Sequence, residues 1–300
     1  MELPKPRVEY VIPADPVGRR PPGEQPQGAA HLFVLALVSL YYHFAELLRF
    51  TLLALVIALS LVFLFGCLLG WFAPKGGSSW QSYVWGLALA PVFAPLWAGL
   101  EYVVLLTVQR LYPKAREALR PFHNGSVYLN VLVAAGAAYI GGSAFAALWN
   151  LAVFLVAGEF PLSDPLADRA LRVLPAALLG TLLFLPLAFA GLDVLASKAS
   201  YRQAIARSIR FAFSQKRLVA GYAVIALAGT AVVELTPSTR VSSAAAPHVG
   251  GEFSWVAFAV VAGVFALTLL VEMVVRVLFY RELVWREREA AAPAATTESA

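Results

Sequence analysis

Charge is scarce in this sequence. Only 14% of its 300 residues are Asp, Glu, Lys or Arg, whereas 60% are hydrophobic, and soluble domains carry about 25% charged residues. Cysteine is also scarce: Cys67 is the single one, so no disulfide can form within the chain. The composition therefore disfavours a large soluble protein with buried helices and favours a membrane protein.

Motifs that carry known chemistry are missing as well. The four histidines lie apart, without the spacing of a metal site, and no phosphate-binding loop of the Walker type occurs. The net charge of +5 is unevenly spread along the chain, so we interpret it as a signal for the orientation of the chain in the membrane rather than as a nucleic-acid-binding surface. We therefore expect no cofactor, no metal and no nucleic-acid partner, and we do not predict an enzyme. The histidines are His31, His43, His123 and His248.

Long apolar runs are what the sequence has instead. Each is roughly 20 residues or longer, the length that crosses a hydrocarbon core of about 30 Å. We predict an all-α fold, a polytopic membrane helix bundle in which six transmembrane helices form three hairpins. Interfacial helices are expected on its cytoplasmic side. The predicted spans cover about 50–72, 83–108, 127–157, 171–195, 218–235 and 255–280. The fourth span is expected to kink at Pro175 or Pro186.

The segment before the first span is ambiguous. Residues 31–48 combine a short apolar run, Leu32–Leu40, with Tyr41, Tyr42 and Glu46. We interpret the segment as an interfacial helix that lies along the cytoplasmic surface and bends into the first span. The alternative is a true span over 31–48, which would place the N-terminus outside the cell.

Low-complexity tails flank the predicted six-helix domain, which covers 29–288. Residues 1–28 are rich in proline and residues 289–300 are rich in alanine. Neither composition can pack a core, so we predict that both tails are disordered. A proline-rich ligand for a partner protein is the alternative for the first tail.

Basic residues alternate in number from one predicted loop to the next. Of the 23 Lys and Arg residues, nineteen lie in segments that we assign to the cytoplasm, and four lie in the other three loops. Cytoplasmic loops carry an excess of Lys and Arg. The pattern therefore predicts a multi-pass protein of the bacterial inner membrane with both termini in the cytoplasm. The four exceptions are Lys75, Arg169, Arg172 and Arg240.

Three acids in the predicted spans are the strongest candidates for a polar site. Ala98-Gly-Leu-Glu101 and Ala190-Gly-Leu-Asp193 form a repeat, and Glu272 lies in a looser third copy. Intramembrane acids are costly and face the bundle interior or water, so we group these three as a site for a cation, a proton or an amine-bearing substrate.

The alternative is a structural role for the same acids. Glu272 and Arg276 are i, i+4 on one predicted helix, which favours an ion pair. Glu101 is the best functional candidate because the nearest base in sequence, Arg110, is more than two turns away.

Two further patterns concern packing and lipid contact. Small residues and amides recur at i, i+4 in the third span, where they favour close helix packing, with a polar substrate path as the alternative. Basic amphipathic segments follow the second and fourth spans and favour contact with anionic lipid headgroups, with topology alone as the alternative. The stripe is Asn130, Ala134, Ala138, Gly142, Ala146 and Asn150, and the basic residues are Lys114, Arg116, Arg120, Arg202, Arg207 and Arg210.

Short motifs also carry a family resemblance. Pro95-Leu-Trp-Ala-Gly99 leads into a basic segment, and Ala204-Ile-Ala-Arg-Ser208 follows an acid at the end of the fourth span. In these motifs the chain resembles bacterial six-helix membrane domains of unknown function, related to a membrane domain that is fused to glycerophosphodiester phosphodiesterases. The resemblance implies a six-helix fold. It implies no hydrolysis, because no phosphodiesterase domain is present.

The function follows only in outline from these patterns. We predict a membrane scaffold or accessory subunit that acts through helix packing and contact with anionic lipid. Its expected partners are membrane lipids and other membrane protein subunits. The alternative is a transporter or lipid-handling protein that uses the acids, and a polar cavity between the second, fourth and sixth spans would favour it.

Overall fold

A computed structural model gives the fold. The residues that it describes form helices and turns, with no β-strand among them, which confirms the predicted all-α class. Parts of both predicted tails and several connecting segments lie outside the described residues. The described residues are 15–70, 80–111, 113–158, 171, 173–235 and 255–297.

Eight α-helices and two 3₁₀-helices (η1 and η2) make up most of this part of the chain. Side-chain caps begin two of the α-helices: Asn124 accepts from the Ser126 N–H, and Ser200 forms a capping box with Gln203. In chain order the elements are α1 (Ala29–Gly70), α2 (Trp80–Val108), η1 (Ala115–His123), α3 (Gly125–Ala157), α4 (Leu174–Phe184), η2 (Leu185–Leu187), α5 (Ala190–Ser197), α6 (Tyr201–Ser214), α7 (Lys216–Leu235) and α8 (Trp255–Thr297).

Four helical stretches in the described part of the chain are long and apolar enough to cross a membrane. Three of them overlap the predicted second, third and fourth spans, and the first begins with the segment that we interpreted as interfacial. The predicted spans 218–235 and 255–280 are helical, within α7 and α8, but they are not among the four. The four stretches are Ala29–Leu53, Leu89–Val108, Gly125–Ala157 and Leu174–Ser197.

Helix α1 joins the predicted interfacial helix 31–48 and the predicted first span into one element. At 1.5 Å per residue its 42 residues extend about 63 Å, twice the hydrocarbon thickness. Leu32, Ala36 and Leu40 form a buried stripe at i, i+4 spacing, and the neighbouring Tyr41 is exposed. Over residues 32–53, one face of α1 therefore packs on the bundle and the other remains uncovered.

Helix α8 lies at the centre of the molecule. From Met273 to Trp285 its side chains are buried on every face, apart from the half-buried Arg276 and Arg281. A helix that is buried all round belongs to the core rather than to a surface. Helices α1, α2 and α7 pack around it, so groups on α8 can meet partners from several other elements.

Prolines shape α2 and the predicted fourth span. Helix α2 continues through Pro95, which cannot donate to the Pro91 carbonyl, and the Tyr128 hydroxyl donates to that carbonyl over 3.1 Å. The predicted fourth span breaks at Pro186 into α4, η2 and α5. The structure therefore places the break at one of the two prolines that we considered, the other being Pro175.

Candidate functional site

A buried ion cluster joins α2, α7 and α8. Arg276 Nη1 donates to Glu101 Oε1 over 2.7 Å, and Arg276 Nη2 donates to Glu272 one turn away on α8. Arg276 Nε donates to the Tyr222 hydroxyl over 2.7 Å, and Trp97 Nε1 donates to Glu101 Oε1, also over 2.7 Å. We call these five residues the Arg276 cluster.

The Arg276 cluster carries two acids and one base. The exposed fraction of the side chain is 3% for Glu101, 17% for Arg276 and 25% for Glu272. With all three groups ionised, the cluster has a charge of one negative unit. Because a negative charge is costly in a low-dielectric interior, the arrangement favours the arrival of a proton or another cation.

Two adjacent cavities lie beside this cluster. The first has a volume of about 490 Å³ and lies between α2, α3, α5 and α8. The second has a volume of about 380 Å³ and lies between α3, α4, α7 and α8. Each volume falls in the range of about 300–1,000 Å³ that is typical of small-molecule sites. Four residues line both cavities: Ala138, Tyr139, Ala188 and Arg276.

The linings of the two cavities differ in polarity. Phe93 and Met273 are typical of the first cavity, which is mainly apolar. Glu272, Thr181 and Thr230 line the second cavity, and the two threonine hydroxyl oxygens are 3.3 Å apart. Together the two partly open cavities offer a mainly apolar lining next to a more polar one.

The third predicted acid, Asp193, lies in a different cluster. Its Oδ1 accepts from Arg207 on α6 over 3.0 Å and from the Tyr280 hydroxyl on α8 over 2.6 Å. Arg207 also pairs with Glu287. Tyr280 lies one turn beyond Arg276 on α8. Of the three predicted acids, the structure therefore brings Glu101 and Glu272 together at Arg276 and places Asp193 at Tyr280, outside that pair.

The structural alternative for the acids is also present. Glu272 and Arg276 form the i, i+4 ion pair that their spacing indicates. Glu101, which has no base nearby in sequence, is paired in three dimensions, because Arg276 reaches it from a position 175 residues further along the chain. A purely structural role for these acids would not require the cavities that lie beside the pair.

The predicted small-residue stripe of α3 is divided between packing and cavity lining. Ala138, Gly142 and Ala146 line the second cavity, and a Cβ atom added at Gly142 would meet no atom within 4 Å. The stripe is therefore an open face here rather than a site of close helix approach. Ala134 and Asn150 are buried, and Asn130 accepts from the Tyr201 N–H at the start of α6 over 2.8 Å.

Close approach occurs instead at the glycines of the repeat. A Cβ atom added at Gly99 would lie 2.0 Å from the Ala118 carbonyl oxygen. One added at Gly191 would lie 2.8 Å from the Ala135 Cβ and 3.3 Å from the Ala98 Cβ. The two copies of the repeat thus pack against each other, and neither glycine position has space for a larger side chain.

The predicted lipid-contacting residues fall into two groups, those held by other side chains and those exposed. Arg120 donates to the Tyr102 hydroxyl and lies over its ring, and Arg207 forms an ion pair with Asp193. Although burial opposes it, the charge of Asp193 and the hydrogen bond to Glu287 raise the pKa of Arg207 above its ordinary value. The exposed members of the set are Lys114, Arg116, Arg202 and Arg210.

Exposed apolar side chains accompany those basic residues. On α6 the apolar side chains of Tyr201, Ile205, Ile209 and Phe213 do not form the buried face, since Ala204, Ser208 and Phe211 are buried. Phe213 is 66% exposed, and Leu119 on η1 is 40% exposed. This combination of exposed basic and apolar side chains suits a lipid interface.

Residues 15–28, which the composition predicts to be disordered, lie against the C-terminal half of α8. Arg20 pairs with Glu282 over 3.0 Å, and Arg288 pairs with Asp15 over 2.7 Å. The Trp285 indole N–H donates to the Gly18 carbonyl over 3.1 Å. Residues 289–297, also predicted to be disordered, continue α8.

Sequence reasoning missed Trp97, Tyr222 and Tyr280 as partners of the acids. Trp97 has a sequence signal, because it is i, i+4 to Glu101 on one helix. The two tyrosines have none, since they come from helices remote in sequence. Within the described ranges, no group of three His, Cys, Asp or Glu residues could hold a metal ion.

Comparisons with protein-family models, with curated proteins and with solved structures found no match for this chain. The resemblance to bacterial six-helix membrane domains therefore stays a prediction from its short motifs.

Proposed function

We propose that this protein is an integral membrane protein that takes up a lipid-like amphiphile into the two cavities beside the Arg276 cluster. The observation that carries the proposal is the pair of adjacent cavities, one mainly apolar and one polar, which share Arg276 as a lining residue. An apolar chain and a polar head would each find a matching lining. This is the lipid-handling or transport alternative of the sequence analysis.

The scaffold function explains fewer of the observations. A protein that acts by helix packing would fill its interior with side chains, since native cores contain few voids. Here the residues expected to pack, Ala138, Gly142 and Ala146, leave space beside them. The exposed basic and apolar face of α6 is compatible with either function and supports contact with anionic lipids.

We propose six spans arranged as three hairpins, with both termini on the cytoplasmic side of a bacterial inner membrane. The ion pair between Arg20 and Glu282 supports this topology, because it joins the N-terminal segment to the C-terminal half of α8. An odd number of spans would separate the two termini by the bilayer. The charge asymmetry of the loops supports the same arrangement.

Photolabelling with an alkyl probe tests the uptake of an amphiphile. The full chain in phosphatidylcholine nanodiscs is labelled with a hexadecyl alcohol that carries a diazirine at mid-chain, and the labelled peptides are mapped by mass spectrometry. We expect label on the cavity residues Phe93 and Met273 as well as on the exposed Leu148. Label confined to outward-facing side chains such as Leu148 would contradict the proposal.

A matched pair of glycine variants controls for changes in the helices. Gly142→Leu fills the second cavity, whereas Gly263→Leu places the same side chain at an exposed position with no atom within 4 Å. We expect Gly142→Leu to reduce cavity labelling and Gly263→Leu to leave it unchanged.

A further inference from the structure

We infer that the ligand of these cavities has a cationic head, such as an alkylammonium group, which binds at Glu272 in the second cavity; this inference rests on the proposed function. The inference concerns the charge of the ligand, and it follows from three features of the Arg276 cluster. These are its charge balance, the hydrogen bonds already made by Arg276, and the position of Glu272.

The charge balance disfavours an anionic head. Among the described residues that line the cavities, the ionisable acids are Glu101 and Glu272 and the one base is Arg276. With both acids ionised, an anion would add to a net charge of one negative unit, whereas a cation would neutralise it.

Three of the five N–H groups of Arg276 are also occupied. Its Nε, Nη1 and Nη2 donate to Tyr222, Glu101 and Glu272 respectively. An anionic head that approached the remaining N–H groups would therefore lie close to two carboxylates. A cationic head can instead add to a carboxylate that keeps its arginine.

Glu272 is the acid that a cavity ligand can reach. Its side chain is 25% exposed, against 3% for Glu101, and it lines the second cavity. Trp97 and Arg276 already donate to the same oxygen of Glu101. Ala138, Tyr139, Ala188 and Arg276 line both cavities, so an alkyl chain that extends from Glu272 would enter the first cavity past these residues.

Three probes that differ only in their heads test the inference. Each has the same diazirine-bearing hexadecyl chain, with a trimethylammonium, hydroxyl or sulfate head, and each is applied to the full chain in phosphatidylcholine nanodiscs. Cavity labelling is divided by the labelling of exposed Leu148, which corrects for partition into the bilayer. We expect this ratio to be highest for trimethylammonium and lowest for sulfate, with a difference of at least about tenfold, the scale of one charge-assisted interaction.

Variants of Glu272 assign the effect to this side chain. Glu272→Gln should reduce the trimethylammonium ratio by about tenfold and leave the hydroxyl ratio unchanged, which also shows that the cavity is intact. Glu272→Asp keeps the charge and should retain most of the preference.

The outcomes separate the inference from the function on which it rests. Equal ratios for the ammonium and sulfate probes, or a higher ratio for sulfate, would overturn the cationic head and leave the uptake of an amphiphile standing. Failure of all three probes to label cavity residues would overturn both.

Discussion

Arg276 organises the polar groups of the bundle interior through contacts with four side chains. Three of its nitrogen atoms donate to partners on α2, α7 and α8, and its guanidinium lies 6.0 Å from the centre of the Trp97 ring. An arginine with these contacts compensates two carboxylates at once. Its loss would leave the buried Glu101 and the half-buried Glu272 without a counter-charge.

We expect Arg276→Gln to destabilise the protein by about 3–5 kcal/mol, the cost of an uncompensated buried charge. Glu101→Gln should cost less, about 1–3 kcal/mol, because the amide oxygen can still accept from Trp97 and Arg276 keeps Glu272. Thermal unfolding in detergent measures both variants. An equal or greater loss for Glu101→Gln would contradict the central role of Arg276.

Pro95 and Tyr128 form a second coupled pair. Because proline has no N–H, the Pro91 carbonyl lacks its helical donor, and the Tyr128 hydroxyl takes that place. We expect Tyr128→Phe to cost about 0.5–1.5 kcal/mol in the wild-type background. In a Pro95→Ala background, where the backbone N–H is restored, the same change should cost almost nothing. A double-mutant cycle on unfolding midpoints measures the coupling, and additive effects would contradict this account.

At the scale of elements, the break between α4 and α5 depends on a different helix. The Ser208 hydroxyl on α6 donates to the Pro186 carbonyl over 2.6 Å and accepts from the Phe189 N–H over 3.3 Å. These are backbone groups that the break leaves without helical partners. One buried hydroxyl therefore fixes the angle between two halves of a predicted span.

Ser208→Ala should destabilise the protein by about 1–3 kcal/mol, since it leaves two buried backbone groups without a partner. Ser214→Ala is the matched control, because Ser214 lies on the same helix and is exposed; its effect should stay within about 0.5 kcal/mol. Unfolding midpoints compare the two. Similar shifts for both variants would show that Ser208 does not support the break.

Element faces were harder to predict than element positions. The segment after α2 forms the 3₁₀-helix η1, which buries Ala118 and Pro121, three residues apart. On α6 the buried face follows Ala204, Ser208 and Phe211, since this helix packs on α5 and its neighbours. Phe213 is apolar, but it is 66% exposed.

At the scale of the whole molecule, the N-terminal segment and α8 are joined by ion pairs. Burial pushes the pKa of Asp15 upward, but the hydrogen bond from Arg288 and its charge outweigh that effect and hold the pKa below its ordinary value. A carboxylate with a lowered pKa stabilises the folded contact above its ordinary pKa. That stabilisation is lost as the pH falls through the folded value.

We therefore expect acid to loosen the segment from α8 at a pH below the ordinary pKa of an aspartate. Nitroxide labels at the exposed positions Pro22 and Ala290 report the separation by pulsed electron resonance. Asp15→Asn should weaken the contact at neutral pH and reduce its pH dependence. An unchanged pH response in Asp15→Asn would show that another group is responsible.

The sequence by itself determined the all-helical class, the apolar helices long enough to cross a membrane, and a break of the fourth span at either Pro175 or Pro186. These features depend on composition, hydrophobic run length and backbone chemistry, which act over a few neighbouring residues. Only the tertiary structure decided that Arg276 meets Glu101, that Asp193 stands apart, and that the stripe of α3 faces cavities. The reason is physical: a side chain on α8 selects partners from the helices that surround it, and local sequence does not encode which helices those are.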